Sequence, residues 1–241
     1  MAGTLTWSPN GATPSRRLAA IADIGTLNEG SLHAALKRAV HQPGDEVEVA
    51  LDGFVIDIRR GDLLIEIQTG SFAAMGRKLD CLLGEYRILI VHPVAVTTYL
   101  HREGAKPRRS PKRRSLYHLF DELVSIPTLL DHPHLAIEAV LVDVDAHQQP
   151  DASMRRRRGG WRTVDRRLRE VHTQHHFAST ADLLSLVPDG LPGEFTTADL
   201  AALAGISRDQ AQKMAYCLRE ASRFEVVSRD SAGYRYRISR S

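Results

Sequence analysis

Between Glu46 and Gln68 apolar and polar residues alternate with a period of two, interrupted twice by dipeptides that reverse a chain. Glu46–Leu51, Phe54–Arg59 and Leu63–Gln68 read as strands, joined by Asp52-Gly53 and Gly61-Asp62 as two-residue hairpin turns. Loops of that length fix the register. Leu51 faces Phe54 and Arg60 faces Leu63, so Glu48 falls opposite Asp57, and Asp57 opposite Glu66. Side-chain alternation then sorts two faces. One carries Val47, Val49, Leu51, Phe54, Ile56, Ile58, Leu63, Ile65 and Ile67, a core face with Arg60 at its end. The other carries Glu48, Asp57, Glu66 and Gln68.

Around this meander the period changes. Leu27–Val40 repeats at helical spacing, with Leu32, Leu36 and Val40 on one stripe. Phe72–Leu83 reads as a helix, Arg87–Val91 as an apolar strand and Pro93–Leu100 as a further strand. Leu116–Leu130 is expected to be helical, Leu135–Val144 a strand and Thr163–Val171 a helix. Near the end, Thr196 with Asp199 forms a capping box opening Thr197–Leu203. Ala204-Gly205-Ile206 then turns the chain, and Ser207 with Gln210 caps a longer helix running to about Ser222. Two strands follow, Phe224–Ser228 and Tyr234–Ile238. The expected class is α/β, of the α+β mixed-sheet kind. Its parts are a flexible leader over residues 1–24, a main domain over 25–150, an arginine-rich connector over 151–175 and a separate unit over 176–241.

Charge is distributed unevenly. The chain has 241 residues and a net charge of +3. Arg102 to Arg114 holds seven Lys/Arg against one Glu, and Arg155 to Arg169 holds eight Arg against one Asp. These two segments carry +6 and +7, so the remainder carries −10. Basic segments on an acidic body point to a polyanion partner, nucleic acid first. Cys81 and Cys217 lie far apart and suggest neither a disulfide framework nor a zinc site. No apolar run reaches the length of a membrane span, the first 15 residues lack an apolar signal core, and the expected location is the cytoplasm.

The row of acids is costly by itself. Opposed Cβ atoms lie about 5 Å apart. At an effective dielectric near 20, each like-charged pair then costs about 3 kcal/mol. A divalent cation reverses that sign, and converging hard oxygen donors suit Mg²⁺ or Mn²⁺. On that reading Asp57→Asn leaves the metal-free protein at least as stable. The alternatives are a solvated face whose acids are matched by Arg59 and Lys78, or a register shifted by a bulge.

Asp57 followed nine residues later by Glu66-Ile67-Gln68 resembles the signature of the PD-(D/E)xK nuclease superfamily. The order helix, three-strand meander, helix, strand over about residues 27–100 is similar too. The resemblance implies a restriction endonuclease-like core in which Asp57, Glu66 and the Ile67 carbonyl bind Mg²⁺ (or Mn²⁺), with Glu29 of the first helix assisting and Glu48 beside them in the acid row. Gln68 stands where the family usually has lysine. It would orient the attacking water or a phosphate oxygen, and Lys78 could supply a migrated cation. His33 and His92 lie nearby and receive no role.

Residues 176–241 resemble a winged helix-turn-helix domain, which implies a helix offering Arg208, Gln212 and Lys213 to DNA and a wing offering Arg235. Met214, Tyr216, Cys217 and Leu218 of the same helix are assigned to core or interface, and the alternative role is a protein-protein module. Arg108, Arg109, Lys112, Arg113 and Arg114, with Arg155, Arg156, Arg157 and Arg158, are expected to grip the phosphate backbone. The leading function is a Mg²⁺-dependent DNA endonuclease working with nucleic acid and no membrane; nucleases of the superfamily it resembles often work as dimers, which makes a homodimer the oligomer that the resemblance implies. Its rival is a non-catalytic DNA-binding regulator or adaptor on a decayed nuclease fold. A protein-interaction scaffold is the third.

Overall fold

Helix α1 (Ser31–Val40) opens the computed structural model, which describes residues 30–154, 160–230 and 233–239. Leu32, Ala35, Leu36 and Val40 are buried along one side of α1, the stripe the sequence predicts. Strands β1 (Glu46–Leu51), β2 (Phe54–Arg60) and β3 (Leu63–Ile67) follow as the meander. A 3₁₀ turn (Phe72–Met75) leads into α2 (Gly76–Leu82), and β4 (Arg87–Arg102) runs unbroken through Pro93, joining two segments that the sequence reads separately. The first basic loop is partly ordered as β5 (Arg108–Arg109), paired antiparallel with Tyr99 and Leu100 of β4.

Leu116–Leu130 departs from the expected helix. It holds a 3₁₀ turn, the single turn α3 (Phe120–Leu123) and a second 3₁₀ turn beginning at Pro127, whose missing N–H bars a continuous helix. Then come β6 (Leu135–Pro150) and β7 (Trp161–Phe177). The latter overturns two expectations. Thr163–Val171 is strand, and the supposed connector 151–175 supplies most of a long sheet element. The sequence there reads ambiguously because its arginines leave few apolar positions to show a period. Val164, Leu168 and Val171 fit a helical stripe, while the edge position in the sheet tolerates the charges. Strand order in the large sheet is β1-β2-β3-β4-β6-β7, with β5 beside β4. The Ile88 N–H donates to the His134 carbonyl and Arg102 reaches Gln148, so β4 and β6 run in the same direction and the sheet is mixed.

The meander register is the expected one. Val47↔Ile58, Val49↔Ile56 and Leu51↔Phe54 pair β1 with β2, and Ile58↔Ile65 and Arg60↔Leu63 pair β2 with β3. Ile56, Ile58, Leu63, Ile65 and Ile67 are buried as expected, but Val47 is 50% exposed because β1 is the sheet's edge. Arg60, at the end of the core face, is held by Asp45 through two 2.7 Å bonds and donates to the Val40 carbonyl at 3.0 Å.

The C-terminal elements are α4 (Thr180–Leu184), α5 (Thr197–Ala204), α6 (Arg208–Glu220) and a three-stranded sheet in the order β8 (Phe195–Thr196), β10 (Gly233–Ile238), β9 (Phe224–Asp230). Thr196 makes the expected capping box with Asp199, and Gly205 takes the left-handed conformation (φ 63°) that ends α5. Phe195, Phe224 and Tyr236 pack ring against ring, with centroids 5.0–6.1 Å apart, as the core of the small sheet.

Two compact units divide the chain. Among the described residues, the first comprises those within 30–69, 91–115 and 139–175; the second comprises those within 70–90, 116–138 and 176–239. Both cysteines are free thiols, Cys81 exposed and Cys217 buried. Burial pushes the Cys217 thiol up to about 12. Titration with a thiol reagent should therefore count one reactive cysteine in the native protein and two after denaturation.

Candidate functional site

Asp57 lies near the middle of β2, beside the Ile58↔Ile65 pair, and Glu66 follows Ile65 on β3. Since Ile58 and Ile65 share a face, their neighbours Asp57 and Glu66 share the other. Helix α1 lies over that second face, because His33 and Lys37, one turn apart on it, both reach Asp57. The Asp57 Oδ2 accepts a hydrogen bond from His33 Nε2 at 3.1 Å and from the Ile67 N–H at 2.8 Å. Lys37 Nζ stands 3.9 Å from Oδ1 and donates to Glu48 Oε1 at 3.0 Å. Glu48 adopts a left-handed backbone (φ 53°) and extends into solvent.

Burial alone would raise the Asp57 pKa. The His33 and Ile67 hydrogen bonds and the positive charges of His33 and Lys37 outweigh it, leaving the carboxyl below its ordinary range. This corrects the electrostatic premise drawn from the sequence. The acid is compensated by the chain's own groups, the Lys37 ammonium and His33 imidazole of α1 and the Ile67 N–H, rather than by Arg59 and Lys78. Arg59 instead donates to the Gly61 carbonyl, and Lys78 lies on α2.

Glu66 is buried (8% exposed). Gln68 donates its N–H to the Val91 carbonyl at 2.9 Å, and its own carbonyl accepts from buried His92 Nδ1 at 2.7 Å. The motif Glu66-Ile67-Gln68 is thus pinned on one side by Asp57 and on the other by β4. An open pocket of about 240 Å³ lies alongside, lined by Gly30, Leu32, His33, Thr69 and the β7 residues Thr163, Val164, Asp165 and Arg166. Ser31 Oγ donates to Asp165 Oδ2 at 2.9 Å and fastens the start of α1 to that wall. Of the expected site residues, Asp57, Glu66, Ile67, Gln68 and Glu48 come together on the meander. Glu29 and Arg155 to Arg158 lie outside the described residues.

His33, Lys37 and His92 carry no assignment from the sequence. For the first two a signal existed. Their i, i+4 spacing places them on one side of α1, next to Leu36 of the apolar stripe that must face the sheet. Nothing in the sequence marks His92.

A second cluster lies on β6 and β7. Donor atoms of Asp143, Glu170 and His172 all fall within 4.8 Å of one another, and these three side chains could hold a metal ion. Asp143 is buried, and its Oδ1 accepts from His172 Nε2 at 3.0 Å.

The cationic residues divide. Arg108, Arg109, Lys112, Arg113 and Arg114 are exposed, with Arg109 donating to Thr97 Oγ1 at 3.0 Å. On α6, Arg208 and Gln212 are exposed, as is Arg235 on β10. Lys213 is engaged: it pairs with Asp121 of α3 at 3.0 Å and Asp209 at 2.8 Å, on the side of α6 that packs against the 116–131 segment. Met214, Cys217 and Leu218 are buried as expected, whereas Tyr216 is 39% exposed. Removing the Lys213 amine (Lys213→Met) should cost about 1 kcal/mol of stability, read by urea melts.

The domain-of-unknown-function model DUF8091 matches residues 30–178, and the chain belongs to that family. A match also exists to an "Uncharacterized protein" of Treponema pallidum (strain Nichols), 32% identical over 184 residues, covering 74% of this chain and 73% of that protein. No solved structure matches. The family match contains the meander, the pocket and the Asp143 cluster; α5, α6 and the small sheet lie beyond it.

Proposed function

We propose that the protein is a Mg²⁺- or Mn²⁺-dependent DNA endonuclease of the PD-(D/E)xK kind, with a C-terminal winged helix that engages nucleic acid. The observation carrying this reading is the 2.8 Å hydrogen bond from the Ile67 N–H to Asp57 Oδ2, which holds the aspartate against the centre of Glu66-Ile67-Gln68. The order α1, meander, α2, β4 adds support. The donor set fits a hard dication: two carboxylates on one face, one of them kept anionic by its surroundings.

Asp57 and Glu66 would hold the ion with the Ile67 carbonyl. When bound, it supplies a lowered water pKa and offsets charge on the phosphate and the leaving oxygen. Gln68 would orient the water or a phosphate oxygen through its amide; it has no basic atom. His33 and Lys37 keep Asp57 charged and fixed. Arg108 to Arg114 would hold the phosphate backbone without choosing sequence, leaving any preference to Arg208, Gln212 and Arg235.

A second reading, a DNA-binding regulator without activity, is favoured by the compensation of Asp57 by His33 and Lys37. Incubating supercoiled plasmid with the protein in Mg²⁺ or Mn²⁺ separates the two. Nicking that EDTA stops and Glu66→Ala abolishes, with DNA binding retained, supports the nuclease. Salt-sensitive binding without cleavage selects the regulator. Absence of binding at low salt sinks both.

A further inference from the structure

We propose that Asp143, Glu170 and His172 form a binding site for a first-row transition-metal dication, zinc foremost, that clamps edge strand β7 to β6. Glu170 and His172 are two apart on β7 and so project from the same face. Asp143 comes from the neighbouring strand and already meets His172 at 3.0 Å. Asp143 is only 8% exposed, so solvent screens its charge poorly.

Charge bookkeeping singles out this place among the acids of the strand pair. Glu138 is matched by His176 at 2.9 Å, and Asp145 by His101 at 2.6 Å and Arg169 at 3.0 Å. At Asp143 and Glu170, two carboxylates share one imidazole. With the imidazole neutral, as a ligand must be, the three side chains carry −2, which one dication cancels.

The ligand types choose the ion. Magnesium keeps an all-oxygen shell rich in water, whereas imidazole nitrogen suits zinc, copper, iron and nickel. Metal–donor distances near 2.0–2.2 Å require the donors to draw closer than they stand here. Glu170 and His172 are exposed and can close onto Asp143. Three protein ligands with solvent on the open side leave a coordination position for water. The site is independent of Asp57 and Glu66, and neither reading needs the other.

Isothermal titration of the EDTA-treated, dialysed full-length protein with zinc chloride tests it, with thermal melting as a second readout. The expected result is a raised Tm and a zinc-binding step whose affinity is about 100-fold weaker in Glu170→Gln and His172→Gln, since losing a ligand costs at least as much as losing its outer support. Asp57→Ala isolates this site from the other candidate dication site and should still bind one zinc per chain, which millimolar Mg²⁺ does not displace. Glu170→Gln carries the test even where the fold resists changes at buried Asp143, because Glu170 is exposed. Zinc binding of equal strength in wild type, Glu170→Gln and His172→Gln would overturn the proposal, as would the absence of any zinc-induced heat or melting shift in the wild type.

Discussion

On the proposed hydrolytic reading, Asp57→Ala is expected to slow metal-dependent DNA nicking by about 10³-fold; independently of that reading, Asp57→Asn is expected to lower the stability of the EDTA-treated protein by about 1–3 kcal/mol. The first figure follows from removing a metal ligand whose ion supplies several kcal/mol at the transition state, each 1.36 kcal/mol being tenfold. The second follows from the contacts. Asp57 Oδ2 accepts from both His33 and the Ile67 N–H, and an asparagine that turns its oxygen to them leaves Lys37 facing an amide instead of a carboxylate oxygen. This reverses the stability expectation drawn from the acid row alone.

The pH dependence has a definite sign. The folded-state pKa of Asp57 is depressed, so its stabilising contribution is complete above the unfolded carboxyl's value near 4 and is lost as pH falls through the folded value. Urea denaturation from pH 6 downward should show the gap between wild type and Asp57→Asn closing in acid. A gap that is constant across that range would mean the charge of Asp57 contributes nothing to folding.

The second large effect is structural. Phe195→Ala should destabilise the fold by about 3–5 kcal/mol. The Phe195 ring is 1% exposed and packs edge-on against Phe224 at 5.0 Å and beside Tyr236 at 6.1 Å, so its loss leaves a cavity between strands that are short and cannot collapse onto each other. A cost below about 1 kcal/mol would mean that the small sheet does not rely on this cluster.

What was legible in the sequence depended on whether local chemistry dictated the outcome. Asp52-Gly53 and Gly61-Asp62 set the register without help from the rest of the chain, and the Thr196 and Ser207 caps placed α5 and α6 for the same reason. β7 is not legible in the sequence because its arginines mask periodicity and its strand state comes from pairing with distant β6. Leu116–Leu130 has the apolar spacing of a helix, but Pro127 breaks it into short turns. At the candidate site the acids are visible in the sequence, but the partners it suggests, Arg59 and Lys78, are not the ones that meet Asp57. Lys37 and His33 enter only when α1 is laid over the acid face, a tertiary event. The Asp143 cluster is hidden for a related reason: Asp143 lies 27 and 29 positions before Glu170 and His172 and meets them only through the β6–β7 pairing.

The most direct test of the proposed hydrolytic centre is anomalous diffraction from crystals soaked in manganese chloride. An ion bonded to both Asp57 and Glu66, with His33 displaced from or retained beside the carboxylate, is the expected result. Full manganese occupancy at Asp143, Glu170 and His172 alone, with Asp57 still held only by His33, Lys37 and the Ile67 N–H, would contradict it.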